Sequence, residues 1–89
     1  MDSSEKLLER MKQSKTGWRY NDLDTLYRGF GFQVRDKGKH TIYIHSKYKH
    51  LWATVTRHRT LAIGYITKAI KLIDEVKRLS KEENNESNY

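Results

Sequence analysis

The sequence predicts one α+β domain of order α-β-β-β-α, a three-stranded antiparallel sheet with helices packed on one face. Three observations predict it. Apolar residues recur at helical spacing over 23–30 and again over 63–76. Between those stretches the period drops to two, in three short runs separated by polar turns. The chain has 89 residues, 36% of them hydrophobic, enough for one small core.

Residues 4–12 read as a short helix capped by Ser4, with Leu7, Leu8 and Met11 on one side. Alone, a helix of that length is marginal. Residues 13–17, Gln-Ser-Lys-Thr-Gly, read as a linker, so 1–17 is set apart as an N-terminal extension. A second helix is predicted over 21–30. Asn21 or Asp22 caps it, and Leu23, Leu26, Tyr27 and Phe30 form its stripe. Gly29 or Gly31 ends it in a left-handed turn.

Phe32 and Val34 then alternate with Gln33 and Arg35 as a first strand. Asp36-Lys37-Gly38-Lys39 is a hairpin connection with glycine where a positive φ is wanted. His40 to His45 is a β-branched, aromatic, alternating strand. Residues 46–50 make a polar turn, and 51–56 a third strand. Such a meander needs a cover on one face. The last helix, 61–80, supplies it through Ile63, Ile66, Ala69, Ile70, Ile73 and Val76. Residues 81–89 read as a frayed polar tail. The domain proper spans 18–80. Its layout is that of a double-stranded-RNA-binding-like fold, with the uncovered sheet face left for a ligand.

The net charge of +7 is unevenly placed. Residues 10–71 hold fourteen bases against three acids, while both ends are mildly acidic. Aromatics are interleaved with those bases, as in Trp18-Arg19-Tyr20, Lys47-Tyr48-Lys49 and Trp52. That is the footprint of a polyanion binder, in which rings stack on bases and cations hold phosphates. Tyr43 and Trp52 are the stacking candidates, although core packing is the commoner use of any one such aromatic.

No cysteine is present, which excludes disulfides, thiolate zinc and cysteine catalysis. The polar, acidic start reads against a secretory signal, and the longest apolar run, 61–66, is too short for a bilayer. The cytoplasm is the simplest compartment. No metal site or cofactor is expected, because no ligand set has recognisable spacing. Serine-triad chemistry lacks a nucleophile elbow.

Four histidines remain, at 40, 45, 50 and 58. Histidine exchanges protons near neutral pH. His40 opens the central strand beside a flexible turn, where a large substrate has access; an ordinary solvated strand-end histidine fits the same position. Lys37 and Lys39 flank it. His58, between Arg57 and Arg59, reads either as part of a phosphate-gripping turn or as a residue leading into the last helix. His45 and His50 are expected to be solvated.

Taken in order, Trp18-Arg19-Tyr20-Asn21-Asp22-Leu23, Gly31-Phe32, Gly38-Lys39-His40, Ile42-Tyr43, Val55-Thr56-Arg57-His58 and Gly64-Tyr65-Ile66 resemble the HicA toxin family. The resemblance covers about residues 18–76. It implies metal-independent cleavage of mRNA, with His40 in the place of the family's catalytic histidine, and a HicB-like antitoxin that covers the active site. Lys39 stands where the family has serine, Thr41 where a second histidine often follows, and Thr56 where it tends to have proline. On this reading Lys37 and Lys39 stabilise charge, and Arg35, Arg57, His58 and Arg59 grip the RNA backbone. Two other readings stay open: a non-catalytic RNA-binding module, and a protein-interaction subunit with a basic surface.

Overall fold

The computed structural model describes residues 3–37, 39–57 and 60–86. The elements are α1 (Ser3–Gln13), α2 (Tyr20–Gly29), β1 (Phe32–Lys37), β2 (His40–His45), β3 (Trp52–Thr56) and α3 (Ile63–Glu86). The three strands form one antiparallel sheet in sequence order, so the predicted α-β-β-β-α layout is present, with α1 added ahead of it. The turn glycine Gly38 lies outside the described residues.

Strand parity decides which residues meet the helices. Along β2, Thr41, Tyr43 and His45 are buried, and along β3, Ala53 and Val55. Phe32 joins them from β1. Beneath this face Tyr27 of α2 stacks on Tyr43 at a centroid distance of 4.6 Å and meets Phe32 edge-on at 4.9 Å. Such pairs add about 0.5–1.5 kcal/mol each beyond area burial. Leu23 and Leu26 of α2 and Ile66, Ala69 and Ile73 of α3 complete the core.

Three features differ from the sequence expectations. The N-cap of α2 is Arg19 rather than Asn21 or Asp22. Asp22 sits three residues further on and its carboxylate accepts the Arg19 N–H at 2.9 Å, so its attraction to the helix start is real but one turn inward. The end of α2 follows expectation, with Gly31 at φ 89°.

The helix predicted over 4–12 is present as α1, and it packs on α2 and α3 instead of standing apart from the domain. Leu8 and Met11 are fully buried, and Lys12 and Glu5 form ion pairs with Asp74 and Lys77 of α3. Thus α2 packs against β1 and α3 against β3, while α1 packs on these two helices.

The polar tail from Lys81 continues α3 as far as Glu86. Glu82 pairs with Arg78 one turn back, and Lys47 of the β2–β3 turn donates to Glu83 at 2.5 Å. Those contacts hold a segment whose composition alone reads as frayed. No helix among the described residues is long and apolar enough to cross a membrane.

Candidate nucleic-acid interface

The face of the sheet away from the helices is built from the residues of opposite parity. The register sets them in three cross-strand rows: Gln33–Ile44–Trp52, Arg35–Ile42–Thr54 and Lys37–His40–Thr56. His40 is exposed and stands in the last row, at the hairpin rim. Its strand neighbour across the hairpin is Lys37, and Lys39 beside it is exposed. Arg35 projects from the adjacent row and is also exposed.

At the opposite end of this face Trp52 is 54% exposed, with the half-buried Ile42 and Ile44 between it and the rim. Four residues of strand separate the Trp52 and His40 rows, about 13 Å. The surface thus offers a cationic rim carrying an imidazole, an apolar floor and a free indole.

Tyr43 does not belong to this face. It is fully buried and donates to the Asp24 carboxylate at 2.7 Å. Burial, with hydrogen bonds to Tyr20 and Asp24, pushes its hydroxyl far above the ordinary phenol range. Its stacking partner is Tyr27, so of its two readings the core one holds and the base-stacking one is corrected.

His45 is likewise buried, at 6% exposure, rather than solvated. Its Nδ1 accepts the N–H groups of Lys47 and Tyr48 at 3.1 and 3.0 Å. That pattern leaves Nε2 as the protonated nitrogen, donating to the Phe30 carbonyl at 3.0 Å. Burial lowers its pKa, and the Lys47 charge lowers it further, against an opposing contribution from the Phe30 carbonyl. This ring is a fastener between β2 and the end of α2, on the helical side of the sheet.

Arg57 is exposed and follows β3, but its side chain turns toward the helical side. Nε donates to Thr41 Oγ1 at 3.1 Å, and the guanidinium lies 5.7 Å from the centre of the Tyr20 ring. Tyr20 and Thr41 share a hydrogen bond of 2.6 Å. The Arg57 N–H also meets the Lys39 carbonyl at 3.3 Å, tying the end of β3 to the rim beside His40. Sequence reasoning missed this Tyr20–Thr41–Arg57 cluster, since its members are far apart in the chain. The assignments of His58 and Arg59, and of the Lys37 side chain, lie outside the described residues.

Ion pairs among the described residues engage Lys12, Arg28, Lys47, Lys77 and Arg78, on the helices or reaching them. Arg35, Lys39, Lys49, Lys68 and Lys71 pair with no carboxylate among the described residues. Of these unpaired cations, Arg35 and Lys39 lie at the sheet rim and Lys68 and Lys71 lie on α3. No group of three or more His, Asp or Glu side chains converges as a metal site among the described residues. No family model, curated protein or solved structure matches the chain.

Proposed function

We propose that the chain is a metal-independent endoribonuclease of the HicA type, a toxin that cleaves mRNA in the cytoplasm and is held in check by a HicB-like antitoxin. The observation that carries this reading is the register of β2, which turns His40 outward onto the open face at the cationic rim. RNA brings its own nucleophile. His40 takes the proton of a ribose 2′-OH as that oxygen attacks the adjacent phosphorus. The bond from phosphorus to the 5′-oxygen breaks, and the 5′-oxygen leaves with the proton returned by the His40 imidazolium. The products are a 2′,3′-cyclic phosphate and a 5′-hydroxyl end. A single acid/base group contributes about 10²–10⁴-fold. Lys37 and Lys39 supply positive charge to the phosphorane, and Trp52 stacks a base away from the cut.

A second reading keeps the surface and drops the chemistry. What favours it is Thr41, which stands where the family often carries another histidine and is buried against Tyr20 and Arg57. Incubation with end-labelled RNA in EDTA separates the two readings. Under the first, the wild type cuts and His40→Ala does not, with unchanged circular dichroism and loss of growth inhibition. RNA left intact by the wild type, or cut equally by both, discards the catalytic assignment.

A further inference from the structure

Two hollows lie side by side along α3 and share Lys68, and the second reaches His50 and Leu51 just before β3. One, of about 310 Å³, is lined by Ala62, Gly64, Tyr65 and Lys68. The other, of about 330 Å³, is lined by His50, Leu51, Lys68, Lys71, Leu72 and Glu75. Together they form a furrow following α3 from Tyr65 to Leu72, about 10 Å at the helical rise.

Its two ends are set by the sheet. Thr56 and Tyr65 hydrogen-bond through their hydroxyls at 3.2 Å, and Thr56 is the register partner of His40. The furrow therefore begins next to the rim. It ends at His50 and Leu51, immediately before the exposed Trp52. Lys68 and Lys71 are exposed and pair with no carboxylate among the described residues. The one acid in the lining, Glu75, is taken by Arg78. An added Cβ on Gly64 meets nothing within 4 Å, so the furrow floor is open there.

We propose that this furrow is a second track for single-stranded RNA, in which Lys68 and Lys71 hold the phosphates of nucleotides flanking the scissile one as the strand leaves the His40 rim around the edge of β3. The proposal rests on the reading of the chain as an RNA-acting protein and extends its substrate from the cut site to a longer stretch of strand. Unpaired cations beside a shallow apolar floor suit a polyanion whose bases are unstacked.

The test is fluorescence anisotropy with a labelled, uncleavable 2′-O-methyl RNA 12-mer, titrated from 50 to 200 mM salt. Each phosphate neutralised on a single strand contributes about 0.7 to the slope of log affinity against log salt. The double variant Lys68→Gln/Lys71→Gln should lower that slope by about 1.4. Over this salt range its affinity should fall about sevenfold less than that of the wild type. Gly64→Glu, which puts a carboxylate on the furrow floor at an open position, should weaken binding while leaving the thermal melt intact. A trinucleotide, with too few phosphates to fill the rim and the furrow together, should show a smaller difference between the two lysine forms than the 12-mer does. Equal slopes for wild type and variant with the 12-mer overturn the furrow, whatever the variants do to a protein partner. A wild type that binds no RNA overturns the furrow and the ribonuclease reading together.

Discussion

The Ser4 side chain lies directly on Gly29: a methyl group added at Gly29 would fall 1.8 Å from Ser4 Oγ and 2.6 Å from its Cβ. This contact is where the N-terminal helix joins the core, since Ser4 is buried and Gly29 closes α2.

Gly29→Ala therefore forces α1 away from α2. Alanine favours the helix by up to about 1 kcal/mol, but displacing a packed backbone costs about 1–3 kcal/mol. Net destabilisation is expected, read as a lower urea midpoint. A midpoint unchanged or raised would show that α1 does not hold its place.

Tyr27→Phe should be neutral or stabilising. The Tyr27 hydroxyl is buried without a hydrogen-bond partner, and burial pushes its pKa far above the ordinary phenol value. Removing an unsatisfied buried group recovers about 1 kcal/mol, while the ring contacts to Tyr43 and Phe32 persist. Thermal denaturation of the two proteins decides it, and a large loss of stability would mean that the hydroxyl has a partner in solution.

Stability should decline as pH falls through the ordinary histidine range near about 6.5. The sign follows from His45, whose folded pKa is lowered, first by burial. The unfolded chain then binds the proton more readily, so stability is present at higher pH and lost on acidification. Protonation also removes the Nδ1 lone pair that accepts the Lys47 and Tyr48 N–H groups. Urea titrations at pH 8 and pH 5 should separate for the wild type and separate less for His45→Gln.

Trp52→Ala should leave the fold nearly untouched, because the indole is mostly in solvent. RNA affinity should drop by about 1–3 kcal/mol if a base stacks there. Anisotropy with the same 12-mer measures it, and an unchanged Kd removes Trp52 from the binding surface.

Local patterning determined the elements of this protein. The alternation from His40 to His45 is the observed β2, and the stripe from Leu23 to Tyr27 is the buried side of α2. The imbalance of charge in residues 10–71 was also plain in the sequence. What alternation leaves undecided is which of a strand's two faces receives the helices. In β2 the choice lay between His40, Ile42 and Ile44 on one side and Thr41, Tyr43 and His45 on the other. Hydrophobicity alone favours burying the isoleucines. The fold buries the polar set instead, because Tyr20, Asp24 and the Phe30 carbonyl, all from α2 and its end, satisfy those side chains there. Those partners are about twenty residues distant in the chain, so only tertiary contact supplies them. The same contact turns His40 to solvent, and it explains why Tyr43 and His45 serve the core and not the open face of the sheet.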